Sequence, residues 1–249
     1  MRLSLRKIDA IFWMKLQAIT KNMSIMIGPI MAIGIVLLMK AVMPEVDASE
    51  GGIQFSKGPF LLSFGLLFNN VMGGMMMSSH PLAEEKEKNT LRVLMTSSVK
   101  GGEFFIGSML PSLLILFVVN LLLIPVSGVA FSQIQLPTYL FLTTMTSLIT
   151  ILMGYIIGIV AKNQAQANLV GTPIMLALTM IPSFSGFHAN ISKISSYTYS
   201  GVLSKYTQSA FSPEKYQWNS KDLGVLFAWF VVCLGLFIYA YKKNGLDGE

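Results

Sequence analysis

The chain has 249 residues, 53% hydrophobic and only 12% charged, with one cysteine and a formal net charge of +6. A soluble domain carries about 25% charged residues, so this composition, with its apolar residues gathered in long blocks, indicates an all-α integral membrane protein. A lone Cys233 rules out an internal disulfide or a cysteine metal cluster, and in a membrane protein the basic excess reports topology and anionic lipid rather than nucleic acid.

From Leu3 to Met23, the residues Leu5, Ile8, Phe12, Leu16, Ile19 and Met23 recur every three or four positions, which is one apolar helical stripe. Arg2, Arg6, Lys7, Lys15 and Lys21 add positive charge and Trp13 an interfacial ring. Residues 1–23 are therefore expected to form an amphipathic helix in the headgroup plane. Basic and apolar residues interleave and no small-residue cleavage site follows, unlike a signal peptide, so the chain reads as a mature one.

Six apolar blocks follow, at 25–43, 59–79, 104–129, 140–160, 169–187 and 223–241. At about 1.5 Å per residue each can cross a hydrocarbon core of about 30 Å, and six crossings put both termini on one side. Twelve of the eighteen Lys and Arg residues then fall on that side and five on the other, with Lys40 at a span end where it can snorkel. The positive-inside rule places both termini and residues 80–103 in the cytoplasm. The expectation is one transmembrane domain over 1–249, multi-pass in a cell membrane, in particular a bacterial plasma membrane.

Glu45, Asp47 and Glu50 make the first external loop acidic. Residues 188–222, also external, carry four lysines but also Tyr197, Tyr199, Tyr206, Phe211, Tyr216 and Trp218. That aromatic content fits a segment that is re-entrant or rests at the interface. Within the spans lie Pro29, Pro111, Pro125, Pro173 and Pro182, together with Asn69, Asn70 and Asn120. The asparagines either line a substrate path or hydrogen-bond one helix to another. Gly73, Gly74 and the Gly154–Gly158 GxxxG pair permit close helix approach.

No GxxxxGK[ST] loop is present, so the chain cannot cradle a nucleotide alone. Apart from Lys40 the spans hold no charge, unlike carriers that place ion-binding carboxylates in the bilayer. His80 and His188 fall at opposite faces and cannot share a metal. Met72, Met75, Met76 and Met77 point in different directions on a helix and read as core filler rather than a copper site. No catalytic or metal-binding residue is expected.

The stretch from His80 to Glu103 is a charged island with four of the twelve acidic and four of the eighteen basic residues. Glu84 and Lys88 stand at i,i+4, which supports a short helix. Leu91, Leu94 and Met95 form an apolar edge able to fill a partner's groove, and Gly101 and Gly102 free the backbone to turn into the next span. Its residue order resembles the type-2 ABC exporter (ABC-2) permease family. Glu85 and Glu87 match paired glutamates, Thr90 and Leu91 a Thr-Leu pair, Leu94 and Met95 an apolar pair, Ser97 a threonine, Glu103 a later glutamate and Gly107 a glycine. Asn89, Ser98 and Ser108 stand where that pattern has glycine, proline and a basic residue.

The resemblance implies a permease subunit that pairs with a second permease, as a homodimer, and with two copies of a cytoplasmic ABC ATPase carrying the ATP and Mg. It implies outward export, with Glu84, Glu85, Glu87, Thr90, Leu91, Leu94, Met95 and Glu103 coupling the spans to the ATPase. Uncharged spans point to hydrophobic or amphipathic cargo: peptides, drugs or lipid-linked molecules. An ATPase-independent channel, secondary carrier or membrane scaffold is the alternative.

Overall fold

A computed structural model describes residues 4–44, 57–90, 100–210 and 216–243, and every regular element in them is helical. Helix α1 (Leu5–Lys21) ends at Asn22, whose side-chain oxygen accepts the Ser24 N–H at 3.0 Å. That bond caps α2 (Met23–Val42). Next come α3 (Lys57–Leu67), a π-helical turn (Phe68–Gly73) and α4 (Gly74–Glu87), which together form one continuous rod. The chain continues through α5 (Gly101–Val126), a 3-10 turn (Phe131–Gln133), α6 (Leu136–Val160), α7 (Gln164–Ser183), α8 (Ala189–Ser195), α9 (Tyr199–Ser209) and α10 (Ser220–Lys243). Among the described residues, six helices are long and apolar enough to cross a membrane: α2, the α3–α4 rod, α5, α6, α7 and α10.

The rod is 31 residues long, about 46 Å at the helical rise, and so exceeds a hydrocarbon core of about 30 Å. It runs past the expected end of its span at Ser79 and carries the first part of the charged island as helix. Pro81 lies inside it. Proline lacks the N–H that would bond the carbonyl of Met77. That carbonyl instead accepts the Ser112 hydroxyl of α5 at 3.4 Å, so the helix continues without an orphaned acceptor.

The rod is the most enclosed span and α10 the least, with 72% against 17% of the apolar window buried. Small residues let its neighbours approach closely. A Cβ on Gly154 of α6 would fall on the Ser78 hydroxyl and 2.7 Å from the Met75 carbonyl oxygen, and one on Gly158 would lie 3.0 Å from the Ser79 carbonyl oxygen. Helix α2 crosses the π turn at Gly28, where a Cβ would sit 2.7 Å from the Gly73 Cα. Buried Thr143, Thr146 and Thr150 of α6 each donate to the carbonyl one turn back, which keeps their hydroxyls satisfied away from water.

Helices α8 and α9 occupy the aromatic segment between α7 and α10. Helix α9 is inserted among the spans: the Tyr199 hydroxyl meets Thr150 near the middle of α6 at 2.8 Å, and Ser204 meets Ser63 of α3 at 3.1 Å. Tyr199 and Tyr206 are buried, whereas Tyr197 and Trp218 stay exposed. The aromatic content thus serves two purposes, filling the core from α9 and facing outward beside it. Arg2, Glu45, Asp47, Glu50 and Phe211 lie outside the described residues.

The contact at Gly154 gives a matched test. Gly154→Ala forces α4 and α6 apart and is expected to cost about 1–3 kcal/mol, read as a lower melting temperature in detergent. Gly235→Ala, where a Cβ meets nothing within 4 Å, should leave the melting temperature unchanged. Equal melting temperatures for the two variants would show that this approach does not limit packing.

Candidate functional site

The last turn of α4 sends successive side chains to different neighbours. Glu84 pairs with Lys88 one turn on and accepts the Asn22 amide from the α1–α2 junction at 3.4 Å. Glu85 forms an ion pair with Lys15 of α1. Lys86 donates to the carbonyls of Ile159 and, at 2.6 Å, Ala161, at the C-terminal end of α6. Glu87 accepts the N–H of Gln164, the first residue of α7, at 3.4 Å. A cation on a helix C-terminus and an anion on an N-terminus both suit the helix dipole, so this turn clamps both sides of the α6–α7 connection.

Asn89 then leaves the helix with φ +57°. Glycine occupies this place in the family pattern, and asparagine is among the few other residues that visit the left-handed region routinely. The departure keeps the bend. The Thr90 hydroxyl donates back to the Glu85 carbonyl at 3.3 Å. Leu91, Leu94 and Met95, with Ser97 and Ser98, lie outside the described residues.

Across the island, Glu103 sits in the first turn of α5 with its side chain only 2% exposed. It accepts the Ser4 N–H at 2.8 Å and the Lys100 N–H at 3.1 Å, with Lys7 at 4.0 Å. Its carboxylate therefore holds the start of α1 and caps α5. Gly107, one turn on, makes room for α1, since a Cβ there would lie 2.8 Å from Ile11 and 3.0 Å from the Ile8 carbonyl oxygen.

Helix α1 buries Ile8, Ile11, Lys15 and Ile19, a line rotated from the apolar stripe read in the sequence. Leu5, Trp13 and Met23 face outward. Lys15, counted by sequence with the outward positive charges, is instead buried, its ammonium 4.8 Å from the centre of the Phe104 ring. Burial lowers the Lys15 pKa, and the Glu85 carboxylate acts in the opposite direction. Sequence reasoning missed Lys15 and Lys86. The signal for Lys15 was its register, one turn from both Ile11 and Ile19; for Lys86 there was only its place between two glutamates.

Asn69 and Asn70 stand on the π turn and are fully buried with Asn120 of α5. The Asn120 side-chain oxygen accepts Asn69 at 2.8 Å and Asn70 at 3.2 Å, while its amide donates to Asn70 at 3.0 Å. Ser147 of α6 also donates to Asn70, and the Tyr139 hydroxyl donates to the Asn120 carbonyl at 2.6 Å. These bonds tie the rod to α5 and α6 in the bundle interior.

Helix α7 differs from the other spans. Its mean hydropathy, 1.2, is the lowest of the six, and its exposed face mixes the polar Asn168 and Thr172 with Leu169, Val170, Pro173, Leu176 and Ala177. The exposed faces of α2, α5 and α10 along their central lengths are apolar. The Asn168 side-chain oxygen accepts a 2.8 Å bond from the His80 Nε2. Among the described residues, no three His, Cys, Asp or Glu side chains come together as a metal site.

Removing Lys15 should isolate a largely buried carboxylate. Lys15→Met is expected to destabilise the protein toward the lower end of the about 3–5 kcal/mol for breaking a buried pair, because Glu85 keeps partial exposure. Lys15→Met with Glu85→Gln should regain much of that loss in thermal denaturation. A double variant no more stable than Lys15→Met alone would show that the two groups are not coupled.

Among curated proteins, none matches the chain. A model of the ABC-2 type transporter family matches residues 6–211, from α1 past the end of α9, and the clamped island lies inside that match. The chain thus belongs to the ABC-2 type transporter family, as a multi-pass membrane permease.

Proposed function

We propose that this chain is the permease of an ATP-driven exporter and that residues 80–103 couple a cytoplasmic ATPase to the spans. The observation that carries this reading is the last turn of α4. Through Glu84, Glu85, Lys86 and Glu87 it holds α1, α6 and α7 together. Force applied just beyond Thr90 reaches all three helices through direct polar contacts. Glu85 and Glu103 act here by positioning the island against α1, while Leu91, Leu94 and Met95 supply the apolar surface for the ATPase.

Helix α1 lies in the headgroup plane of the cytoplasmic leaflet, with Leu5 and Trp13 toward lipid, and both termini are on that side. Lipid cannot satisfy the exposed polar groups of Asn168 and Thr172 on α7. That face therefore meets a second copy of the permease across the transport path, giving a homodimer served by two ATPase subunits. The Asn69–Asn70–Asn120 cluster braces the path from behind rather than lining it. The cargo is hydrophobic or amphipathic, consistent with uncharged spans, and it moves outward.

Coexpression with an ABC ATPase encoded beside this chain tests the reading. Wild type should copurify with it, and Leu91→Asp or Leu94→Asp should abolish the complex. Intact binding and ATP hydrolysis in both would remove the docking role. Lys86→Met should retain the complex while lowering its ATP hydrolysis roughly tenfold, the scale of one lost charged hydrogen bond, with Lys86→Arg restoring it. Unchanged hydrolysis in Lys86→Met would separate the clamp from coupling.

A further inference from the structure

Helix α7 divides at Pro173 into two parts that meet the bundle differently. Proline carries no N–H for the carbonyl one turn back, here that of Leu169. Among the described residues no side chain takes that carbonyl as Ser112 takes that of Met77. A helix bends most readily where its bond ladder is broken. Beyond Pro173 the helix buries Met175, Leu178, Thr179 and Pro182, whereas before it only Ala167 and Gly171 are buried. Two such small residues bury little apolar area. Residues 164–172 can therefore swing at small cost while the remainder stays anchored.

Polar bonds hold residues 164–172 instead, and among the described residues both that reach another helix go to α4. Glu87 accepts the Gln164 N–H at 3.4 Å, and the His80 Nε2 donates to the Asn168 side-chain oxygen at 2.8 Å. His80 and Glu87 lie two turns apart on one face of α4, so the rod grips this part of α7 at two points. His80 is only 2% exposed, and its Nδ1 is buried with no hydrogen-bond partner among the described residues. A half-satisfied imidazole is costly in an interior, and a leucine would fill the space without that cost. The bond to Asn168 accounts for the histidine where packing does not. The polar residues of the exposed face, Asn168 and Thr172, both precede Pro173, and beyond it that face shows Leu176 and Ala177.

We infer that His80 is a positioning residue that holds residues 164–172 to the rod as a gate at the cytoplasmic mouth of the transport path, hinged at Pro173. This rests on the reading of the exposed α7 face as a wall of that path. When the charged island moves, the rod draws Asn168 and Thr172 with it, and Met175 and Leu178 keep the rest of the helix in place.

Amide hydrogen exchange on the full chain in lipid nanodiscs tests the latch without an ATPase. His80→Leu deletes the donor and should speed exchange of residues 164–172 about fivefold, the scale of one lost hydrogen bond, with residues 174–183 unchanged. His80→Gln keeps an N–H donor at that reach and should restore the wild-type rate. Asn168→Leu should repeat the His80→Leu effect from an exposed position. Faster exchange along the whole of α7, or no change in either leucine variant, would overturn the latch. Gating is read on the complex with an ABC ATPase in inside-out vesicles. There Thr172→Cys, in a Cys233→Ala chain, is labelled by a membrane-impermeant maleimide without nucleotide and after ADP is trapped with vanadate. The labelling rate should change several-fold on trapping, and Pro173→Ala should abolish that change at a melting temperature no lower than wild type. A trapped complex with unchanged labelling would overturn the gate and leave ATP-driven export standing. An ATPase that neither binds nor traps would overturn export and the gate together, and the exchange result would still decide the latch.

Discussion

An ammonium taken out of water requires a carboxylate, and the Lys15–Glu85 pair meets that requirement where α1, α4 and α5 converge. Helix α1 is held at its other end by Glu103, which binds the Ser4 amide, and it lies over Gly107 because no side chain intervenes there. It is thus a strap across both flanks of the charged island. Lifting it would strand Lys15 and Glu85 and expose the Phe104 ring. The geometry of residues 80–103 consequently depends on a segment some seventy positions earlier in the chain.

From that junction the rod formed by α3, the π turn and α4 carries the connection into the bundle. Close approaches at Gly154 and Gly158 bind it to α6, and the asparagine cluster binds it to α5 and α6 at the π turn. Helix α7 is attached at its start, through Glu87 and through the His80–Asn168 bond. The rod is thus fixed to α6 along its length and to α7 near one end. The opposite end of the bundle is organised by α9, whose buried Tyr199 and Tyr206 bond Thr150 of α6 and the Gln135 carbonyl before it.

Much of this was legible in the residues. Hydropathy blocks located the six spanning helices, since apolar length is a property of each segment alone. The residue order from Glu85 to Gly107 carries the resemblance to the ABC-2 family. The structure then gave one matched position and one departure specific duties: Gly107 admits α1, and Asn89 occupies the left-handed bend where the family has glycine. Other features were not legible. Pro81 takes a donor out of α4, and the helix continues with Ser112, thirty-one positions later, bonding the carbonyl that proline frees. The apolar stripe of α1 gave the helix but not its rotation, because Ile11 and Lys15 were buried by neighbours that the stripe could not identify.

The sequence by itself determined what depends on neighbours along the chain: helix content, span number, the polar island and the family it signals. Only the tertiary structure decided which charges meet. Glu85 and Glu103 look alike as carboxylates bordering a loop, but one neutralises a buried lysine and the other caps backbone amides. Asn69, Asn70 and Asn120 equally fit a water-filled path or a helix contact until the spans are packed. The cause is the same in each case: a polar group in a low-dielectric interior must find its partner in space, and the distance along the chain does not reveal which partner that is.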